Sequence, residues 1–382
     1  TYDDAYAHAR ALADEQQLTF IHPFDDPEVI AGQGTIGMEI DRQHAGPIDA
    51  VFVPIGGGGL MAGIALYIKA RRPDTKMIGV EPEDSASMTA AFAAGGPITL
   101  DTVGIFADGV AVRRVGDETF RICRELVDDI ICVDNDEICA AIQDVFEDTR
   151  TIVEPAGALS IAGLKRYVTQ HTATDETFVT INCGANVNFD RLRHIAERAA
   201  LGEQREALFA VEIPEQPGSF LAFCETLGRR NITEFNYRLQ VSETAHIFVG
   251  IELRHGNEER REIFTMLEDA GYPVIDLTDD EMAKLHIRHM VGGPVPGIAN
   301  ERIYRFRFPE RPGALLAFLT AVGHDWNISL FHYRNHGSDY GRVLVGIQVP
   351  TDDEAAFQDY LAQLGYPYWE ESDNPAYGLF LR

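Results

Sequence analysis

At 382 residues with 45% apolar side chains, the chain is long enough for two or three domains with real cores. Its formal charge of −28, with no basic patch to offset it, sets it against nucleic acid and anionic membranes as partners. No apolar run reaches the ~18 residues needed to cross a bilayer, no secretory leader is read at Thr1, and five cysteines without C-x-x-C or zinc spacing fit a reducing cytoplasm.

Residues 1–17 read as a helix with Ala and Leu on one face, and Leu18 to Ile21 as a strand. From Val51 onward apolar strands alternate with helices. Val51–Ile55 is followed by Gly56-Gly57-Gly58-Gly59 and then by a helical stretch, Gly63–Ala70. Met77–Val80 is a strand, Asp117–Leu126 a helix and Ile130–Val133 a strand. Asp136–Thr151 is a helix with Asp134 or Asn135 as its N-cap. Pro155 and Gly157 mark a loop, and Phe178–Ile181 is a strand entering Asn182-Cys183-Gly184-Ala185-Asn186. This alternation predicts a parallel sheet covered by helices, with ligands at the carboxyl ends of the strands. Gly56–Gly59 and Cys183–Ala185 both follow strands directly, so both can line one cleft.

A strand, a glycine loop and a helix start form a cup of backbone N–H groups. Without a Cβ that cup can close on an anion, and the helix dipole favours negative charge there. A phosphate monoester fits. No Lys-Ser/Thr follows the glycines, which disfavours a Walker loop, and no G-x-G-x-x-G with a distal acid supports a dinucleotide. The plain alternative is a glycine loop with no ligand.

After about residue 198 the chain repeats itself. Phe209–Phe223 matches Tyr304–Phe318, each with a Pro-Gly pair, Pro217-Gly218 and Pro312-Gly313. Asn231-Ile232 matches Asn327-Ile328, Phe235–Arg238 matches Phe331–Arg334, and Gly250-Ile251 matches Gly346-Ile347. Each unit reads as a βαββαβ module. Val291–Asn300, with three glycines and two prolines, is the linker.

These residues carry a resemblance. The first half resembles fold type II pyridoxal-phosphate (PLP) enzymes, and the tandem modules resemble the ACT-like regulatory domains of biosynthetic threonine ammonia-lyases (threonine dehydratases). The matching stretches include "AGQGTIGMEI", "VFVPIGGGGLMAG", "FADGVAVRRVGDETF", "EPAGAL", "GANVNF", "EFNYR", "FPERPGALLAFL" and "WNISLFHYR". They run through the whole chain in family order. The resemblance implies an α/β architecture: a fold type II core over residues 1–198, then ACT-like modules over 207–290 and 302–382. It implies removal of the α-proton and β-hydroxyl of L-threonine on PLP, giving 2-oxobutanoate and ammonia, the first step towards isoleucine. It also implies isoleucine inhibition opposed by valine, a homotetramer and a cytoplasmic enzyme.

By resemblance, the N–H groups of Gly56, Gly57, Gly58, Gly59 and Leu60 hold the PLP phosphate, and Cys183 faces the pyridine nitrogen. Ser is commoner there; either group is near-neutral, so the electron sink stays weak, which suits β-elimination. A buried structural thiol is the alternative. Glu154–Ala158 is read as lining the cleft or as a helix-breaking turn, and Asp108-Gly109 as a turn. Glu81 matches a metal-ligand position of racemase relatives, but their further carboxylate falls at Ser87, so no divalent metal is expected. His286 with His289, and His332 with His336, lack zinc-motif partners and read as surface or core histidines.

The family's Schiff-base lysine lies in a Ser-x-Lys motif well ahead of the glycine loop. None of Lys69, Lys76, Lys165 and Lys284 matches it, and each reads as a solvated surface lysine. The expectation is an ordinary enzyme whose preceding segment carries that lysine; the rival is a true fragment acting as a non-catalytic amino-acid sensor. A serine-preferring dehydratase is a chemically close third reading. For the effectors, Phe235, Tyr237, Phe331 and Tyr333 are the candidate pocket walls, between the modules near the two Pro-Gly turns; ordinary strand core is the alternative.

Overall fold

The structure, a computed structural model, describes residues 2–239, 242–309, 314–322, 326–334 and 340–381. It divides into two compact units, residues 1–203 and 204–382.

The first unit contains α1 (Tyr2–Gln16), α2 (Pro27–Gln43), β1 (Ala50–Pro54), α3 (Gly59–Arg71), β2 (Lys76–Pro82), α4 (Ser87–Ala94), α5 (Asp117–Leu126), β3 (Asp129–Val133), α6 (Asn135–Thr149), α7 (Pro155–His171), β4 (Phe178–Thr180) and α8 (Arg191–Gly202). The strands form a wholly parallel sheet in the order β3-β2-β1-β4. Alternate side chains of β1 serve opposite faces. Ala50 and Phe52 join a core with α6, α7 and α8, while Val51 and Val53 join one with α2, α3, α4 and α5. Being covered on both sides, β1 is buried throughout, which is why it reads as an uninterrupted apolar run.

Local chemistry sets the helix ends. Asp26 caps α2, its carboxylate accepting from the N–H groups of Glu28 and Val29, with Pro27 in the first turn. Asp134, rather than Asn135, caps α6, and Glu137 returns a bond to the Asp134 N–H in a reciprocal capping box. The strand expected at Leu18–Ile21 does not form. No neighbouring strand offers it a ladder, Leu18 and Ile21 are exposed, and Phe20 packs against Tyr6 and Arg10 instead.

The second unit contains β5 (Glu206–Pro214), α9 (Ser219–Leu227), β6 (Ile232–Arg238), β7 (Thr244–Glu252), α10 (Gly256–Asp269), β8 (Val274–Asp276) and α11 (Glu281–Leu285). The pattern then repeats as β9 (Glu301–Pro309), α12 (Ala314–Val322), β10 (Asn327–Arg334), β11 (Tyr340–Gln348), α13 (Glu354–Leu364), β12 (Tyr368–Glu370) and α14 (Pro375–Phe380). All strands join one antiparallel sheet, β12-β9-β11-β10-β6-β7-β5-β8, and the two copies meet where β6 pairs with β10. The repeat extends to irregularities. Register slips occur at Ile232/Glu234 on β6 and at the matching Ile328/Leu330 on β10. Each copy closes with a short helix capped by a side chain, Asp280 on α11 and Asn374 on α14. One continuous apolar core runs through both copies.

A buried ion pair joins the copies. Arg238, at the end of β6, pairs with Glu301 at the start of β9; their side chains are 9% and 2% exposed. The guanidinium also donates to the carbonyls of Gly293, Ser329 and Leu381. Glu301 accepts from the hydroxyls of Ser329 and Tyr377. Each charge is thus met by several partners, the condition under which a buried pair holds. Arg238→Met leaves Glu301 buried without its counter-ion. Urea unfolding is expected to show a loss of about 3–5 kcal/mol, with partial recovery in Arg238→Met/Glu301→Leu.

Candidate active site

Two loops leave the carboxyl end of adjacent strands in the first unit's sheet. The glycine run follows β1, the Cys183 loop follows β4, and these strands are adjacent and parallel, with Phe52 opposite Thr180 and the Ile181 N–H bonded to the Phe52 carbonyl.

The structure gives each glycine of the run a packing reason. A Cβ on Gly56 would press on Val110, on Gly57 or Gly59 it would meet Phe24, and on Gly58 it would come within 2.9 Å of Thr119 and 2.8 Å of Met88. The space expected for a ligand is therefore partly taken by protein, and Gly57, Gly58 and Gly59 are buried. The N–H groups of Gly56, Gly57 and Gly58 donate to no backbone carbonyl among the described residues. Gly58 has φ +96° and caps α3 without a side-chain bond. That is the geometry of an anion-binding nest at a helix start, and it fits a phosphate ester.

The support comes from residues that the sequence reading did not single out. Thr119, fully buried on α5, donates its hydroxyl to the Gly57 carbonyl at 2.7 Å. The Asp25 carboxylate caps α5 from a distant segment, accepting from the N–H groups of Asp117, Glu118 and Thr119. A Cβ on Gly116 would overlap that carboxylate. The Nδ1 of His22 accepts from the N–H groups of Phe24 and Asp25 and so shapes the turn that delivers both. No local pattern announces contacts this far apart in sequence.

The Cys183 loop lies against the first turn of α7. The Cys183 N–H donates to the Gly157 carbonyl, and a Cβ on Gly157 would overlap the Cys183 carbonyl. The "EPAGA" run is thus both a helix start, with Pro155 in the first turn, and a support for the loop. Glu154 leaves α7 without a side-chain cap and accepts from the Asn186 N–H at 2.8 Å. Cys183 is exposed at its edge, but desolvation by the surrounding protein, and then the Glu154 charge, push its thiol above the ordinary range. It is therefore a neutral group at neutral pH.

Other candidates fall elsewhere. Asp108 pairs with Arg191. Glu81 is fully buried, and its carboxylate accepts from the N–H groups of Met88 and Thr89 and from the Thr89 hydroxyl. Among the described residues no three His, Cys, Asp or Glu side chains gather as a metal site. His336 and the Pro312-Gly313 turn lie outside the described residues.

Lys76 is exposed, as expected, whereas Lys69 and Lys165 are half-buried and Lys284 is buried. Lys69 pairs with Asp128 at 2.7 Å, Lys76 lies 3.5 Å from the Tyr167 hydroxyl, and Lys165 bridges Asp144 and Glu203. Lys284, expected in solvent, is 8% exposed with its ammonium on Glu281. An ammonium can be buried there because a carboxylate one helical turn away meets it.

The four aromatic residues assigned as pocket walls are strand core: Phe235 and Phe331 are fully buried, and Tyr237 and Tyr333 are 3% and 2% exposed. They face the helices that cover the sheet, so no open wall is left to them. Tyr237 reaches outward only through its hydroxyl, which donates to Glu215 at 2.7 Å beside the Pro217-Gly218 turn.

The family description "Pyridoxal-phosphate dependent enzyme" matches residues 1–184, and "C-terminal regulatory domain of Threonine dehydratase" matches residues 197–287 and again 293–381. The biosynthetic L-threonine dehydratase of Burkholderia multivorans is 58% identical over 381 residues, taking in 100% of this chain and 75% of its own length. The chain belongs to the biosynthetic threonine dehydratase family. The Escherichia coli relative is 56% identical, with 74% of its length matched. Among solved structures, the processed form of threonine deaminase isoform 2 from Solanum lycopersicum matches with TM-score 0.52 and 49% identity, over 53% of this chain and 55% of that one. Membership makes PLP the cofactor of this chain.

His22 gives a pH test of the loop support. Burial lowers its pKa, the Asp25 charge raises it, Arg10 lowers it and Asp26 raises it, with a net downward shift from 6.5. The neutral ring is thus favoured in the folded state. As pH falls below about 6.5 the unfolded chain takes up this proton first, and stability is lost until the folded pKa is passed. The thermal midpoint of wild type is expected to fall more steeply from pH 7 to 5.5 than that of His22→Asn, whose side-chain oxygen accepts the same two N–H groups.

Proposed function

We propose that this chain converts L-threonine to 2-oxobutanoate and ammonia, and that isoleucine restrains it while valine opposes the restraint. The observation that carries this reading is the run of glycine amides without a backbone acceptor beside the Cys183 loop, in a chain matched throughout by biosynthetic dehydratases. A match along the whole of this chain and about three quarters of the relatives' length favours a lyase over a non-catalytic sensor. When bound, PLP supplies the electron sink for cleavage at the substrate's α-carbon. The chain's own part is to bind and to tune. The amides of Gly56, Gly57, Gly58, Gly59 and Leu60 would hold the phosphate, and the α3 dipole would add to that hold. Cys183, held neutral, would be the group offered to the ring nitrogen; unlike a carboxylate it would fix no proton there, and the weak electron sink that results suits loss of a β-hydroxyl. We assign residues 1–198 to this chemistry, and 207–290 and 302–382 to its control. A homotetramer in the cytoplasm belongs to the same reading; no described helix is long and apolar enough to cross a membrane.

For the effector, the second unit offers a groove of about 610 Å³ beside the Pro217-Gly218 turn, lined by Ile213, Gln216, Ser219, Ala222 and Tyr272 among others. The Ser219 hydroxyl, 7% exposed and without a hydrogen-bond partner in the structure, stands at the start of α9. An amino acid's carboxylate suits that helix start, and a branched side chain suits the apolar wall. Phe220 packs on Tyr237, Phe235 and Phe331, at centroid distances of 4.4, 5.5 and 6.2 Å. We therefore assign Phe235, Tyr237 and Phe331 an indirect part, backing the Pro217-Gly218 turn from the core through Phe220.

With PLP present, the protein is expected to release 2-oxobutanoate and ammonia in equal amounts from L-threonine; release from L-serine alone overturns the substrate assignment. In calorimetry, Tyr237→Ala and Ala222→Phe are each expected to weaken isoleucine binding at least roughly tenfold, the effect of losing one good contact or filling the groove. Unchanged binding in both rejects this placement.

A further inference from the structure

Thr119 makes a contact that ligand binding alone does not explain. Its hydroxyl is buried, sits on α5 rather than in the glycine loop, and bonds the Gly57 carbonyl at 2.7 Å, with the Gly116 carbonyl 3.3 Å away. The Gly116 N–H donates to the same Gly57 carbonyl at 3.2 Å. Two donors from one helix start therefore fix one peptide oxygen. The peptide bond between Gly57 and Gly58 is trans, as is every described peptide bond. In a planar trans peptide the C=O and the following N–H point in opposite directions. Fixing the Gly57 carbonyl towards α5 therefore aims the Gly58 N–H away from α5. Gly58 then adopts φ +96°, the left-handed turn that brings successive amides onto one concave side. The helix start that carries both donors is itself held by Asp25.

We propose that Thr119 is a positioning residue for phosphate recognition: with the Gly116 N–H it pins the Gly57 carbonyl inward and so presents the Gly58 amide to the anion. The inference rests on the reading of the glycine run as the PLP phosphate cup. Thr119 does not touch the cofactor; it acts through the orientation of one peptide plane. Without the hydroxyl, that plane keeps a single donor and can swing, so the amide is no longer preorganised.

The test compares pyridoxal 5'-phosphate with pyridoxal, which lacks the phosphate, as ligands of the full chain by equilibrium dialysis. Thermal unfolding confirms that each variant is folded. Thr119→Val keeps the shape and removes only the hydroxyl. It is expected to bind pyridoxal 5'-phosphate roughly tenfold more weakly, while pyridoxal binding and the unfolding midpoint stay close to wild type. Thr119→Ser, which restores the hydroxyl, is expected to recover the phosphorylated ligand's affinity to within about twofold. Should Thr119→Val fail to fold, Thr119→Ala is measured against the same criteria. A variant that keeps the wild-type preference for the phosphorylated ligand overturns the inference alone, as does an equal loss for both ligands. A wild-type chain with no such preference overturns the cup itself and, with it, the inference.

Discussion

Close approach of backbone to backbone is the constraint on which the catalytic unit depends. A Cβ on Gly63 of α3 would overlap the Ile30 carbonyl of α2, and a Cβ on Gly34 would come 3.1 Å from the Gly63 carbonyl. Helices this near fix the axis of α3, and the axis of α3 fixes where its amino end presents amides. Gly157 does the same for the other loop, letting α7 and the Cys183 carbonyl meet. The site is thus positioned by what its glycines allow the scaffold to do, before any ligand arrives. Overpacking by one methyl at such a contact costs about 1–3 kcal/mol even where the neighbour can move. Here the neighbour is main chain, which moves least.

The regulatory unit solves a different problem by polar means. Each copy places a glutamate at the start of its first strand, Glu206 or Glu301, and a hydroxyl at the register slip of its second, Thr233 or Ser329, and the two groups bond. Opposite stands a glycine of the third strand, Gly250 or Gly346, where a Cβ would crowd the hydroxyl. Arg288 answers Glu206 and Glu234 in the first copy, and Arg238 answers Glu301 in the second. The carboxylates are nearly sealed from water, so a slip of register would strand a charge. Polar groups thereby specify pairing that a uniformly apolar sheet would leave loose.

Much of this was legible in the sequence, and the rest was hidden for physical reasons. The parallel core announced itself through apolar runs broken by helical stretches, because strands buried on both faces need no alternation. The duplication was legible from matched residues such as Asn231 and Asn327. The Leu18–Ile21 stretch misled because its residues suit a strand, while strand formation needs a partner that composition cannot supply. Phe235, Tyr237, Phe331 and Tyr333 stood out by repetition; repetition marks core as readily as it marks a pocket. Asp25 and Thr119 were invisible because their partners lie 92 and 62 residues away. The glycine run was read as room for an anion, yet Phe24, Val110 and Met88 take much of that room.

The central pairing of β6 with β10 gives the duplicated sheet an inheritance of its own. Its two free edges, β8 and β12, are three residues each, whereas the strands at the middle run seven and eight. Short margins offer little template for another chain. Either copy standing alone would bare a long central ladder, and Arg238 or Glu301 would lose its opposite charge. Two ancestral halves have become a single indivisible object: the sequence still remembers them as repeats, while the folded unit has no way back to one.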